Sequence, residues 1–472
     1  MAHRALSLSP VVALLLAAPL FAPRVHAAEG RSLFGQPVHE APELTPEELE
    51  QRAQEFREGL ERQGLVLQGR QVLPKSALEP YFRDPEEPVA AWEEPPHRAT
   101  TFLNFFGGPL TNGTNASESQ SPCVGGGKVD YPGYNGTEQK ALAIIQVFKD
   151  AAAPFGLRIA YEKAPPKHLP YSQVMMGGKP GVIGLPQGVL GVACNLDCGD
   201  TWWRDTTFAF TDESNDVNVL GTTALQEAAH AWGLDHIDGA NNIMYPYATP
   251  GNKVWADTCT PYNAATGGIG CQHIHDKFCG GGSQNDVAEL TAFFGVNSVD
   301  SEAPTVKMLS PTDGQEYAKG ESVHVEVEVS DNHLGYGWRL MVPELGQEQP
   351  VYNNQTIWEL GAPPKGEYTI RVEAVDHDGN VGFGEAKIYV DTKPTMGGET
   401  GGETDDPTTG DPSGGSSGGG GEESSDTAVD SEDSGSVDGK DDGCSCRSDA
   451  PIAGASWLLA LAGGLLLRRR RA

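Results

Sequence analysis

Positive charge is scarce in this chain. Its 472 residues include 33 Lys and Arg against 65 Asp and Glu, which gives a net charge of −32 at pH 7. A surface of this sign repels phosphates, so the composition excludes nucleic acid as a partner. The length exceeds the size at which a single hydrophobic core stops growing, and it therefore predicts two folded domains with additional tails.

Cysteine is also scarce, and no two cysteines have the C-x-x-C spacing. This absence argues against a metal site built from thiolates. An even set of cysteines in one region instead predicts three disulfides and an oxidising compartment. The set is Cys123, Cys194, Cys198, Cys259, Cys271 and Cys279, and the sequence leaves its pairing open.

The chain begins with a short apolar run. His3 and Arg4 precede the run at 11–21, and small residues end at Ala27. This order predicts a signal peptide over residues 1–27, cleaved after Ala27, and therefore an exported protein.

The other end predicts a tether. Residues 395–443 are rich in Gly, Ser, Thr, Asp and Glu, and such a segment buries too little apolar surface to fold. We predict a disordered acidic linker there. The apolar run at 450–467 is near the lower length limit for a membrane span, and the arginines at 468–471 favour the cytoplasmic side.

An ordinary membrane anchor is one interpretation of residues 444–472. The order of acidic linker, Cys444-Ser445-Cys446, short span and arginine run also resembles the myxobacterial C-terminal sorting signal. That resemblance implies a processing enzyme that removes the span and leaves the protein attached to the cell surface. Either interpretation predicts a cell-surface protein with the membrane as a partner.

Residues 28–98 contain one predicted helix. Thr45, Pro46 and Glu48 form a helix-start pattern, and apolar residues recur at helical spacing up to Leu60. The segment lies between a signal peptide and the next domain, where a pro-segment is expected. A plain N-terminal extension is the other interpretation.

Residues 99–298 predict an α/β domain, a mixed sheet plus helices. Alternation and apolar runs indicate strands, and amphipathic periodicity indicates helices. The predicted strands are 99–106, 157–161 and one around Phe208 and Phe210; the predicted helices are 138–153, 222–232 and 285–294.

Residues 303–391 predict an all-β sandwich. Valines alternate with polar residues from Val323 to Val329, and a second alternation begins at Tyr368. The stretch resembles the immunoglobulin-like modules of bacterial surface proteins. The acidic cluster at 376–380 is explained either by turn formation or by binding of Ca²⁺.

One motif carries chemistry. Residues 226–236 read Q-E-A-A-H-A-W-G-L-D-H. Gln226 and His230 are four residues apart, so a helix places them on one face. Glu227 is adjacent, and Gly233 permits the sharp turn that brings His236 back toward them.

This string resembles the metzincin metalloprotease motif H-E-x-x-H-x-x-G-x-x-H, with glutamine at the first position. Met244 in the string Met-Tyr-Pro resembles the methionine turn of the matrixin branch. The resemblance implies Zn²⁺ held by His230, His236 and the residue at 226, Glu227 as the catalytic base, and polypeptide substrates.

Gln226 leaves three outcomes open. Its amide oxygen binds zinc more weakly than an imidazole would; or another donor such as His273 or His275 takes the place; or the site is inactive. The sequence therefore predicts a surface zinc endopeptidase, with a catalytically degenerate binding or adhesion scaffold as the alternative.

Overall fold

The computed structural model describes residues 31–79, 81–82, 90–263, 265–266 and 268–393. The predicted signal peptide and the predicted linker and anchor at 395–472 lie outside these residues. No helix among the described residues is long and apolar enough to cross a membrane.

The N-terminal region consists of one helix and two small hairpins. Helix α1 (Pro46–Arg62) begins at Thr45, whose side chain accepts the N–H of Glu48 while the Glu48 carboxylate accepts the N–H of Thr45. The strands are Ser32–Leu33 (β1), Gln36–Pro37 (β2), Leu65–Gln68 (β3) and Gln71–Pro74 (β4). The predicted helix is thus confirmed.

This region is packed onto the next domain. Phe56 and Leu60 of α1 and Val72 of β4 are each 3% exposed, and they share a hydrophobic cluster with Met175 and Phe208 of the central sheet. Burial of such side chains contributes roughly 1.5–3 kcal/mol each. Residues 31–79 therefore fold against the domain that follows them.

The central domain is a mixed sheet with helices, as the sequence predicts. Its strands are Ala99–Asn104 (β5), Gly108–Thr111 (β6), Lys128–Tyr131 (β7), Leu157–Ala160 (β8), Ser172–Met176 (β9), Gly191–Ala193 (β10), Thr206–Ala209 (β11), Thr260–Pro261 (β12) and Ser283–Gln284 (β13). Its helices are Glu138–Ala152 (α2), Val217–Trp232 (α3), Gln272–Cys279 (α4) and Asp286–Phe294 (α5). Short 3₁₀ turns occupy Ala116–Glu118 and Pro180–Ile183 in this domain, Lys75–Leu78 in the N-terminal region and Pro343–Leu345 in the β-sandwich.

The main sheet has the order β10-β11-β9-β5-β8. All of its pairs are parallel except β10 with β11, so β10 is an antiparallel edge strand. Helices α2 and α3 pack against each other, and their buried side chains form one core with β5 and β9. Helix α3 begins five residues before the predicted start at Thr222, because Asp216 caps it.

The predicted cysteines form three disulfides, which confirms that prediction. The pairs are Cys123–Cys194, Cys198–Cys271 and Cys259–Cys279. The first two close loops of 71 and 73 residues. Cross-links over loops of this length remove much of the entropy of the unfolded chain, which stabilises the fold.

Residues 303–391 form the predicted β-sandwich. Its strands are Thr305–Ser310 (β14), Gln315–Tyr317 (β15), His324–Ser330 (β16), Gly337–Val342 (β17), Gln347–Pro350 (β18), Ile357–Glu359 (β19), Gly366–Val375 (β20) and Val381–Val390 (β21). One sheet has the order β14-β16-β19, and the other β15-β21-β20-β17-β18. Val325, Ile370 and Val372 are fully buried between the sheets, as their alternation predicts.

The sandwich contacts the central domain directly. Arg158 donates to both carboxylate oxygens of Asp378 at 2.8 and 2.9 Å, and Thr100 Oγ1 lies 2.8 Å from His377 Nδ1. His377 is 8% exposed and Thr100 is 5% exposed. The two parts therefore share a buried polar boundary.

Candidate metal centre

Helix α3 presents the motif and ends where the motif turns. Its last turn meets Gly233, which has φ of 106° and donates its N–H to Ala229 and His230 carbonyls. A Cβ at this position would lie 2.9 Å from Cys198 Cα, so only glycine fits both the conformation and the space. The chain then reverses toward His236.

The two histidines converge as predicted. His230 Nε2 and His236 Nε2 lie 3.1 Å apart, and their rings are nearly perpendicular at 83°. His230 Nδ1 lies 2.7 Å from the Leu234 carbonyl, which assigns its proton to Nδ1 and leaves Nε2 with a lone pair. Two nitrogen ligands of one tetrahedral zinc ion are separated by about 3.4 Å. The pair therefore fits a shared metal ion.

Burial keeps both imidazoles neutral. His230 and His236 are 4% and 3% exposed. Desolvation lowers the pKa of His230, and desolvation together with the neighbouring His230 holds the pKa of His236 well below its usual value. Neutral imidazole is the form that binds metal. His236 Nδ1 is buried and has no hydrogen-bond partner within the described chain.

Gln226 lies on the same face of α3, but its amide nitrogen contacts the chain around Met244. Gln226 Nε2 donates to the carbonyls of Ile243 at 3.1 Å and Tyr245 at 2.9 Å. Met244 between them is fully buried. These two bonds fix the orientation of the amide, and Oε1 is the atom that remains for a metal.

Glu227 lies beside the edge strand β10. It is 7% exposed, and burial raises the pKa of its carboxyl to about 8 in spite of a hydrogen bond from the backbone of Ala193. A Cβ on Gly191 would lie 2.6 Å from Glu227 Oε1, so glycine at 191 makes room for this carboxylate. A buried carboxyl group thus lies between helix α3 and the sheet edge.

A buried hydrogen-bond network surrounds Asp235, the residue before His236, and no local pattern in the sequence predicts it. The Asp235 carboxylate accepts hydrogen bonds from the N–H groups of Gly270 at 2.9 Å and Cys271 at 3.0 Å, from Gln71 Nε2 at 2.5 Å and from His275 Nε2 at 3.0 Å. Because these partners lie at residue 71 and at residues 270–275, far from Asp235 in the sequence, only the folded structure reveals them.

His275 does not replace the missing ligand. Its Nδ1 lies 2.7 Å from Glu289 Oε2 and its Nε2 bonds to Asp235, so both ring nitrogens are engaged away from the histidine pair. His273 is on the exposed side of the same helix, α4. The interpretation that one of them substitutes for a histidine at 226 is therefore not supported by the geometry.

The β3–β4 hairpin covers this centre. Gln71 is 4% exposed in its contact with Asp235, and strand β4 lies beside β10. On the other side, the Arg70 guanidinium lies 4.8 Å from the Tyr247 ring centre, and its backbone N–H donates to Thr266. The hairpin thus touches both the sheet edge and the segment that follows Met244.

Two groups of three aspartates bring their carboxylate oxygens within 4.8 Å of one another: Asp197, Asp200 and Asp205, and Asp300, Asp331 and Asp376. The second group includes the start of the acidic cluster at 376–380. Asp376 Oδ1 there accepts the N–H groups of Asp378 and Asn380 at 2.9 and 2.8 Å, which is the turn chemistry that the sequence predicts.

Comparison with known proteins assigns no family. No family model matches the chain, and no curated protein matches it. Three similar solved structures are fibronectin(III)-like modules of CbhA from Clostridium thermocellum, the PKD domain of human KIAA0319, and a double mutant of Cellulomonas fimi endo-beta-1,4-mannanase. The fibronectin(III)-like modules are 15% identical, cover 18% of this chain and 93% of their own, and have a TM-score of 0.16. The PKD domain is 17% identical, covers 24% of this chain and 100% of its own, and has a TM-score of 0.15. The mannanase is 15% identical, covers 53% of this chain and 58% of its own, and has a TM-score of 0.14. Similarities of this size do not assign a function.

Proposed function

We propose that this protein is a zinc-dependent endopeptidase of metzincin type, exported and held at the cell surface, in which residues 28–98 act as a pro-segment. The single observation that carries the proposal is the 3.1 Å separation of His230 Nε2 and His236 Nε2, with Glu227 on the same helix. Two neutral imidazoles that face each other can supply two of the three protein ligands of a catalytic zinc site, and Glu227 supplies a carboxyl group next to them.

The ligands would be His230 Nε2, His236 Nε2 and Gln226 Oε1. When bound, zinc supplies Lewis acidity and lowers the pKa of a coordinated water toward about 7. Glu227 takes a proton from the attacking water at its carboxylate and returns it to the leaving amine.

The substrate is a polypeptide in extended form. Strand β10 ends the sheet and lies against Glu227, so an extended peptide can add to this edge through backbone hydrogen bonds. Strand β4 of the N-terminal hairpin now lies beside that edge. This position supports a pro-segment that excludes substrate by covering the centre. Residues 28–98 contain no cysteine, so the segment cannot block the zinc through a thiolate.

A degenerate binding scaffold is the second candidate function. The hydrogen bonds from Gln226 to Ile243 and Tyr245 account for this side chain without any metal. In this case the central domain keeps its fold without catalysis, and its surface and the β-sandwich bind partners in adhesion.

Metal analysis and a casein assay on protein freed of residues 28–98 test the proposal. We expect about one zinc per chain, and we expect Glu227→Ala to lower turnover at least about 100-fold while the zinc content stays the same. Glu162→Ala, at an exposed glutamate of the same domain, is the control and should leave both unchanged. Absence of both zinc and cleavage would eliminate the enzyme.

Gln226→His distinguishes the two functions. Imidazole is a stronger zinc ligand than an amide oxygen, so we expect the variant to hold zinc about tenfold more tightly and to remain active. The measurement is competition with a zinc chelator, alongside the casein assay. If the variant gains activity where the natural chain has none, the natural domain is the degenerate scaffold.

A further inference from the structure

The loop between β10 and β11 contains a cluster of three aspartates, which is separate from the histidine pair. Asp197, Asp200 and Asp205 place one oxygen each within a 4.8 Å span. Asp200 is 2% exposed and Asp205 is fully buried, while Asp197 is half-buried. Like charges brought together inside a protein repel one another strongly.

Two of these buried carboxylates have an oxygen without a hydrogen-bond partner among the described residues. They are Asp200 Oδ1 and Asp205 Oδ2. Asp200 Oδ2 lies 3.0 Å from His97 Nε2, and Asp205 Oδ1 accepts from Asn195 Nδ2. A buried carboxylate oxygen without a donor costs free energy, so a ligand is expected at these atoms.

His97 is the one basic side chain that bonds to the group in the described chain, and it contacts Asp200 Oδ2. Asp200 Oδ1 and Asp205 Oδ2 have no such partner among the described residues. A bound cation is the ligand that suits two buried carboxylate oxygens of this kind.

We propose that Asp197, Asp200 and Asp205 bind a calcium ion. Calcium takes oxygen ligands at about 2.3–2.6 Å, so oxygens that share one ion are at most about 5.2 Å apart, and the three carboxylate oxygens lie within 4.8 Å of one another. Carboxylate-only donors favour a hard cation over zinc.

The ion fixes the end of the motif helix. The N–H groups of Asp197 and Gly199 donate to the carbonyls of Ala231 and Trp232 at 3.1 and 3.3 Å, so this loop caps the C-terminus of α3. The Cys198–Cys271 disulfide joins the same loop to the chain beneath Asp235. Calcium therefore stabilises the turn from which His236 emerges, and it does so whether or not the histidines bind zinc.

Calcium binding to the full-length protein, stripped with a calcium chelator, tests the site. With calcium about 100-fold above its dissociation constant, the thermal midpoint should rise by about 5 °C. Calorimetric titration should show that Asp200→Asn and Asp205→Asn each weaken binding at least about 100-fold. Asp331→Asn, in the other aspartate group, is the matched control and should leave affinity unchanged. Loss of calcium binding in Asp331→Asn but not in Asp200→Asn would overturn the assignment.

Terbium luminescence tests the same site by an independent measurement. Trp202 and Trp203 lie within the loop, so a terbium ion at the aspartates should show emission sensitised by tryptophan that calcium displaces. Absence of sensitised emission, or emission that persists in Asp200→Asn, would also overturn the site. Glu227→Ala should retain the full signal, which separates this outcome from failure of the proposed enzyme.

Discussion

Release of the N-terminal segment is expected to raise peptidase activity by about 100-fold. Glu227, His230 and His236 are all under 8% exposed, whereas cleavage of a polypeptide needs an open centre. The covering hairpin is held by Leu73, which is fully buried, and by the bond from Gln71 to Asp235. If the hairpin is displaced from the centre in about 1% of intact molecules, its removal makes every molecule accessible and raises activity about 100-fold.

The measurement uses a cleavage site inserted between Glu93 and Glu94, which are exposed, so that a specific protease separates the segment from the domain. Casein cleavage is compared before the cut, after the cut, and after the fragment has been removed by gel filtration. The same insertion at Lys319–Gly320 in an exposed turn of the sandwich is the control. Equal activity with and without the fragment would show that residues 28–98 are a plain extension.

Local signals in the sequence were sufficient for much of the fold. Helix α1 follows from its capping residues, and α2 from its apolar face, because both depend on neighbours within four residues. The strands of the sandwich follow from alternation of valines. The convergence of His230 and His236 follows from helical spacing and the glycine turn.

The features that sequence did not predict depend on long-range contacts. Helix α4 has no start signal in the sequence, because no side chain caps its first turn and its start is fixed by a disulfide at Cys271. The orientation of Gln226 is decided by two carbonyls 17 and 19 residues away. The place where the β3–β4 hairpin docks is set by Asp235, more than 160 residues later. Periodicity contains no information about such partners.

His275→Gln is expected to destabilise the central domain by about 3–5 kcal/mol, which lowers the thermal midpoint by about 10 °C. His275 is fully buried between the carboxylates of Asp235 and Glu289, at 3.0 and 2.7 Å. Removal of the imidazolium leaves two buried carboxylates with no cation between them. Glutamine is similar in size to histidine, so the loss of stability measures the effect of removing the charge.

The pH dependence of this loss distinguishes charge from packing. Burial opposes the charged ring, but the carboxylates of Glu289 and Asp235 raise the pKa of His275 to about 10, so its contribution is complete below pH 6.5 and fades as pH rises toward 10. Burial likewise opposes ionisation of Asp235, but His275 and two backbone N–H groups lower its pKa to about 2, so that contribution is complete above pH 3.8 and fades as pH falls toward 2.

The difference in stability between the natural chain and His275→Gln should therefore be greatest between about pH 4 and 6.5 and should shrink steadily toward pH 10. Urea denaturation across this range measures it. His273→Gln, two residues earlier on the exposed side of α4, is the matched control and should change stability by less than about 0.5 kcal/mol. A loss that is constant from pH 5 to pH 10 would mean that His275 acts by packing alone, and the segment carrying His236 would then not depend on a buried ion pair.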